Sequence, residues 1–273
     1  RGQHYDVVVN FIAYTPAEIE RDIQLFSDRC EQYIFISSAS AYQKPPSHPV
    51  ITESTPLANP YWDYSRDKIA CEELLMKAYR EKGFPVTIVR PSHTYETVIP
   101  VAIGSWEDFT IIDRMRTGGT VIIHGDGSSL WTITHSQDFA KGFVGLMGNM
   151  QAIGHSFHIT SDELLNWNQI YQAVAEAAGV ELKAVHIATD FICREADKIG
   201  QEWMRGNLLG DKANSVVFDN TKIKRFVPGY TATIPFKEGI KRTVDWFDAH
   251  PDRIQIDAEN NRLMDAILAA YPG

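Results

Sequence analysis

Ile34-Phe35-Ile36-Ser37-Ser38-Ala39-Ser40-Ala41-Tyr42 is a stretch in which an apolar run empties into small hydroxyl residues. A short apolar run closed by turn-forming residues reads as a strand buried on both faces, the kind that parallel sheets use. Working outward, Val7 to Ile12 and Val86 to Val89 have the same character. Between the first two strands, Pro16 to Phe26 follows a Thr15-Pro16 start signal and carries Ile19, Ile23 and Phe26 at helical spacing. Tyr64 to Lys82 predicts a long helix with apolar Leu74, Leu75, Ala78 and Tyr79, and Gly83 stands where a C-terminal cap belongs. Lys44 to Pro60, rich in Pro, Ser and Thr, reads as a loop. Strand, helix, strand, helix, strand implies an α/β chain: a parallel sheet with crossover helices.

The second half reads differently. Thr120 to His124 and Leu130 to Thr134 flank Gly125-Asp126-Gly127-Ser128, a pattern that predicts two strands around a turn. Ser136 to Met147 predicts a helix and Ser156 to Thr160 a strand. Asn166 and Gln169 form a capping-box signature, followed by a stripe of Ile170, Ala173, Val174 and Ala177 that Gly179 closes. Ala258 to Ala270 predicts an exposed amphipathic helix. No repeat or low-complexity linker divides the chain, so two interleaved lobes fit better than two separate beads.

With 273 residues, 44% of them hydrophobic, the chain can bury a substantial core, and no apolar run approaches a membrane span. A net charge of −9 argues against a broad phosphate-binding surface and so against nucleic acid as a partner. Cys30, Cys71 and Cys193 fit no metal-ligand or redox spacing and read as free thiols of a reducing compartment, the cytoplasm. His124 and His135 flank the predicted turn without enough neighbours for a metal site, so no metal is expected. Glu72-Glu73 and Asp162-Glu163 read as solvated surface. Trp62 and Trp106 lie in or beside loops, where they can line a cleft or pack in the core.

Tyr64-Ser65-Arg66-Asp67-Lys68 places a phenol and an ammonium four residues apart, on one face of a helix. A free phenol is a poor base at neutral pH, and a nearby cation favours its phenolate. Ser38 and Ser40 follow the carboxyl end of a strand, where open α/β sheets bind ligands. The third feature is Val89-Arg90-Pro91-Ser92-His93, a strand that runs into Arg-Pro and then polar residues.

Each of these signals is weak alone. In this order and spacing they resemble the NAD-dependent epimerase/dehydratase branch of the extended short-chain dehydrogenases/reductases. Gly125-Asp126-Gly127 and the segment from His135 to Asp138 also look like that family's landmarks. The resemblance implies a Rossmann-like doubly wound parallel sheet with a smaller mixed α/β substrate lobe. Residues 1–97 and 135–160 would belong to the dinucleotide part, and 98–134 and 161–273 to the substrate part. It assigns catalysis to Ser38, Tyr64 and Lys68, with Tyr64 as acid/base, Lys68 holding the nicotinamide ribose and Ser38 orienting the substrate. Contacts with NAD or NADP, NAD being the family's usual choice, fall to Ile12, Ala13, Tyr14, Ile36, Ser37, Lys68, Pro91, Ser92 and His93. Ser40, Trp131 and Arg205 are the candidate substrate contacts. The implied activity is that of a nicotinamide-dependent oxidoreductase or epimerase acting on a hydroxyl or keto group of a sugar or nucleotide-sugar-like molecule. Dimerisation through the two predicted helices Pro16 to Phe26 and Tyr64 to Lys82 is a further family expectation. A non-catalytic alternative is a nucleotide- or RNA-binding relative resembling the chloroplast stem-loop RNA-binding proteins.

Three departures qualify the resemblance. The family's glycine-rich turn has no counterpart here. Val7 to Ile12 resembles the family's fourth strand, so two βαβ-sized units, roughly 60 residues, would precede it. Without them the chain is expected to bind dinucleotide poorly and to leave one strand edge uncovered. Trp131 stands where nucleotide-sugar epimerases usually place an Arg after the Gly-Asp-Gly turn, and an indole cannot replace a bidentate guanidinium. Ser38-Ala39-Ser40 stands where the family's sugar dehydratases carry an Asp-Glu pair, which weighs against dehydration.

Overall fold

The computed structural model describes residues 2–104 and 106–272. In chain order the first half holds β1 (Tyr5–Asn10), α1 (Pro16–Phe26), β2 (Cys30–Ile36), β3 (Val50–Ile51), α2 (Asp63–Lys82), β4 (Val86–Pro91) and β5 (His93–Tyr95). The middle holds α3 (Thr110–Arg116), β6 (Val121–His124), β7 (Leu130–Trp131), β8 (Ile133–His135), α4 (Ser136–Leu146), β9 (Ser156–Ile159), β10 (Leu165–Asn166) and α5 (Trp167–Ala178). The last part holds β11 (Ala184–Ile187), α6 (Thr189–Lys198), α7 (Trp203–Asn207), β12 (Val217–Phe218), α8 (Thr221–Phe226), α9 (Phe236–Ala249) and α10 (Ala258–Ala270). A single π-turn, Leu208–Lys212, follows α7 directly.

The main sheet is parallel, in the order β1-β2-β4-β9. Side chains alternate across it as the strand period requires. Tyr33, Phe35, Val86 and Ile88 face one layer, where Ile19 of α1 and Cys71 and Leu75 of α2 cover them. Ile34, Ile36, Val89 and Phe157 face the other, against Phe143 and Leu146 of α4 and Ile223 of α8. A third cluster surrounds α5, joining Trp167, Ile170 and Val174 to Ile122 of β6, Ile240 of α9 and Met264 of α10. Among the described residues β1 has one strand neighbour and forms an edge, with Phe11, Ile12 and Tyr14 at least half exposed beyond it.

Local chemistry sets the element ends. β1 stops at Asn10, two residues short of the sequence reading, because the Asn10 amide oxygen accepts from the N–H groups of Ile12 (2.8 Å) and Ala13 (2.7 Å) and turns the chain. Glu18 accepts from the N–H of Thr15 at 2.9 Å and closes a capping box at α1. The predicted Asn166/Gln169 box is present at α5. Gly83 takes the left-handed conformation, φ 69°, that ends α2.

Three sequence expectations need correcting. The runs around Gly125-Asp126-Gly127 do not pair with each other: β6 lies parallel to β11, β7 antiparallel to β10, and β8 parallel to β5. All four residues of β6 are buried, which a two-stranded hairpin at the surface could not achieve. The predicted loop from Lys44 to Pro60 contains β3, paired in parallel with β12. Leu263, Met264 and Ile267 of α10 are buried, so only its outer face is exposed.

Glu72 is also not solvated. It is 3% exposed and bound by Arg90 through Nε (2.9 Å) and Nη2 (2.5 Å), while the guanidinium stacks 4.8 Å from the Tyr42 ring. This pair joins α2 to the end of β4. Removing one partner of a buried ion pair strands the other, at about 3–5 kcal/mol. Arg90→Met should therefore lower stability by that order in urea unfolding, and adding Glu72→Met should recover part of the loss. Equal stability of Arg90→Met and wild type would show that the pair contributes little.

Candidate active site

A cavity of about 650 Å³ opens at the carboxyl ends of the main-sheet strands. Tyr14, Ser38, Ser40, Tyr64, Pro91, Ser92, His93 and Trp131 all line it. The fold thus brings together most of the residues that the sequence singled out. Ser38 follows β2 by two residues, Tyr64 lies in the first turn of α2, and Pro91 ends β4.

Lys68 is the anchor. It is 1% exposed, and its ammonium donates to the carbonyl oxygens of Ala13 (2.8 Å) and Ile36 (2.9 Å). The same nitrogen lies 4.5 Å from the Tyr14 ring centre and 5.8 Å from that of Tyr64. Burial pushes its pKa down to about 8. The Tyr64 phenol departs from the sequence expectation. Burial raises its pKa, and the hydrogen bond with Ser38 only partly offsets that. Lys68 spends its hydrogen bonds on two carbonyls, so in this arrangement it does not bring the phenol into the range of a neutral-pH base.

Around Tyr64 the wall is built of hydroxyls. Ser38 and Ser40 share a hydrogen bond of 2.8 Å, and Ser65 donates to Ser40 at 2.7 Å. Asn59 holds this corner by donating to the carbonyls of Ser40 (2.9 Å) and Gly210 (2.7 Å). Trp62 packs at 5.1 Å from Tyr64, in space left by glycine: a Cβ on Gly206 would fall 2.4 Å from its ring.

The residues assigned to a dinucleotide make a coherent strip. Ala13 and Ile36 supply the carbonyls that hold Lys68, Ile12 is 78% exposed, and the buried Ser37 hydroxyl has no hydrogen-bond partner. Ile12 and Tyr14 offer an exposed apolar surface beside the tethered ammonium, which suits a flat, amphipathic cofactor, so these residues fit one. Ser92 donates to the Thr132 carbonyl at 2.9 Å. His93 stacks on Trp106 at 4.1 Å and is held neutral, since burial lowers its pKa far below the ordinary value. Trp131 stacks on Trp167 at 5.9 Å, and its indole N–H is unpaired. Arg205 is not part of the cavity wall. Its guanidinium is committed to Asp197 at 2.6 Å on the surface of α7.

His124 and His135 do not meet in a shared site: His124 bonds the Lys212 carbonyl at 3.1 Å, and His135 accepts from the Gln137 N–H at 3.2 Å. Sequence reasoning missed Lys44, Asn207, Asp211 and Lys212, all of which line the cavity. Lys44 follows the hydroxyl segment closely enough to have been suspected. The other three come from the π-turn region, whose sequence pattern carried no clear period.

The Lys68 environment has a thermodynamic consequence. A lysine pKa lowered on folding means that the unfolded chain binds more protons between about pH 8 and 10.5, so stability rises with pH across that window. Wild type should gain on Lys68→Met over this range by an amount on the order of 3 kcal/mol, and the difference should be flat below it. Unfolding both proteins at a series of pH values checks this, and a constant difference from pH 7 to 10.5 would refute the assignment.

Comparison with known proteins agrees with this fold. The sequence model of the "NAD dependent epimerase/dehydratase family" matches residues 6–160. A 3beta-hydroxysteroid-dehydrogenase/decarboxylase (isoform 2) of Arabidopsis thaliana is 25% identical over 67% of this chain and 35% of its own length. The chloroplast stem-loop binding protein of 41 kDa b from the same plant is 26% identical over 68% of this chain and 46% of its own length. The chain therefore spans less than half the length of these relatives. A dTDP-glucose 4,6-dehydratase from Bacillus anthracis, solved in complex with NAD, superposes with a TM-score of 0.69 at 16% identity, covering 91% of this chain and 74% of the other. That last likeness is one of fold. With the family match over more than half of its residues, the chain belongs to the NAD-dependent epimerase/dehydratase family.

Proposed function

We propose that this protein works as a nicotinamide-dependent oxidoreductase or epimerase on a hydroxyl or keto group of a sugar-like substrate. The observation that carries the reading is the convergence of Ser38 and Tyr64 on one cavity, with Lys68 tethered on the same face of α2. Residues 1–97 and 135–160 would frame the cofactor, and 98–134 and 161–273 the substrate.

In this reading Ser38 orients the substrate oxygen, and Tyr64 exchanges a proton with it. The nicotinamide, when bound, supplies the group that accepts or returns hydride. Ile12, Ala13, Tyr14, Ile36, Ser37, Pro91, Ser92 and His93 would hold that cofactor together with Lys68. Because burial keeps the phenol protonated, Tyr64 is poised to give a proton to a carbonyl oxygen. Oxidation of a hydroxyl would require the phenolate, so its rate should climb with pH while the reductive direction stays flatter. Ser38 and Ser40 stand beside Tyr64 in place of an Asp-Glu pair, which favours hydroxyl/keto interconversion over elimination of water. Its three free, buried cysteines suit a cytoplasmic setting, and α1 and α2 are the candidate faces for a dimer.

The stem-loop binding relative supports a second reading, in which the cavity is an inherited relic and the protein binds RNA. The net charge of −9 weighs against it. Tyr64→Phe should lower turnover by roughly 100- to 10,000-fold with little change in KM, the range for loss of a general acid/base. Turnover is read as NAD(P)H absorbance against a panel of sugars and sugar nucleotides. Full turnover in Tyr64→Phe, or no dinucleotide binding together with salt-sensitive RNA binding, would overturn the enzymatic reading.

A further inference from the structure

Beyond Trp62, away from Ser38, the cavity wall changes from hydroxyls to charges. Lys44 is 3% exposed and lines the cavity, yet its ammonium makes no hydrogen bond among the described residues. Its nearest carboxylate is Asp211, at 3.8 Å. Lys212, 7% exposed, reaches the other oxygen of the same carboxylate at 3.4 Å. Two buried ammonium groups thus share one carboxylate. The other acid on this wall, Glu107, is exposed, and His93 is held neutral by its burial. A buried, incompletely paired charge is costly unless something supplies the missing partner.

The position of this pair relative to Tyr64 matters. Lys212 Nζ lies 5.9 Å from the Trp62 ring centre, and Trp62 packs 5.1 Å from Tyr64. Lys44 Nζ lies 5.7 Å from the ring of Trp131. Trp62 thus lies close to both Lys212 and the phenol, Trp131 flanks Lys44, and the Asp211 carboxylate is near enough to act on Tyr64. Apolar ring faces between two polar ends suit a sugar or other ring stacked on the tryptophans, with a polar group at each end.

We propose that Lys44 and Lys212 are specificity-determining residues that bind a compact anionic group, a carboxylate or a phosphate monoester, on the same molecule whose hydroxyl or keto carbon meets Tyr64. The proposal rests on the reading of this cavity as the substrate site. One anion would complete a cluster of two positive and two negative groups. It would also give the Lys44 ammonium the hydrogen-bond acceptor it lacks. A substrate with a neutral group at this end would leave that ammonium buried with only its shared, 3.8 Å pairing to Asp211.

The four tryptophans of the wall, Trp62, Trp106, Trp131 and Trp203, provide the signal for a test. Titrate the chain with D-glucuronate, glucose 6-phosphate and glucose, following intrinsic fluorescence. At least one anionic sugar should bind about tenfold or more tighter than glucose, and which one wins separates a carboxylate site from a phosphate site. Lys44→Met and Lys212→Met should each lose the preference. Asp211→Asn should strengthen it, because the competing carboxylate is gone, and a purely structural role for these residues would not produce that gain. Equal binding of all three sugars, no binding of either anion, or a preference that survives in both lysine variants would overturn the proposal. The titration needs no turnover. Intact anion preference with unaltered turnover in Tyr64→Phe would reject the catalytic reading alone, and the reverse result would reject the anion site alone.

Discussion

The constraint on which the site depends is the burial of the Lys68 ammonium beneath the ends of two strands. An unpaired charge at that depth would be prohibitive, so the side chain must find acceptors. It finds them in the carbonyls of Ala13 and Ile36, which follow or end adjacent parallel strands. The result is a three-way tie between α2, the exit of β1 and the exit of β2. Tyr64 is one turn before Lys68 on the helix, and Ser38 is two residues past Ile36 on the strand. Fixing Lys68 therefore fixes the phenol against the serine hydroxyl, without requiring any direct bond from the lysine to either.

The same helix face explains why part of the site was hard to read. α2 buries Ser65, Lys68, Cys71, Glu72, Leu75 and Ala78, a stripe at three- and four-residue spacing. Half of that stripe is polar or charged, so a search for apolar periodicity finds only its C-terminal end, at Leu75 and Ala78. Glu72 looks like surface in the sequence because its partner, Arg90, comes from another strand. Burial of a charge is a property of the pair, and the pair is visible only after folding.

Elements with strong local signals were legible. α1 has the bounds that its Pro16 start and apolar spacing predict, and α2 begins one residue earlier than read. The parallel sheet followed from alternating strand and helix patterns. The failures are non-local. A glycine turn between two apolar runs is the local mark of a hairpin, yet β6, β7 and β8 each found a partner elsewhere. β3, with two residues, is too short to show any period. Of the catalytic candidates, Ser38, Tyr64 and Lys68 could be found by motif. Lys44, Asp211 and Lys212 could not be grouped, because only the tertiary fold sets a residue after β2 against a turn after α7.

The two ends of the cavity thus present different groups, hydroxyls at one and lysines at the other. Near Tyr64 hydroxyls form a chain from Ser65 through Ser40 to Ser38, each able to donate and accept, within reach of the Asp211 carboxylate. Such a chain can follow a proton as it moves between phenol and substrate, because no member must change its charge. At the far end, the Lys44 and Lys212 ammonium groups share the Asp211 carboxylate, and that imbalance is what the proposed anion site rests on. In the proposed reading, the hydroxyls beside Tyr64 handle the proton while Lys44 and Lys212 hold the anionic group of the same substrate. Desolvation acts at both ends: burial raises the pKa of the Tyr64 phenol and lowers that of the Lys44 ammonium.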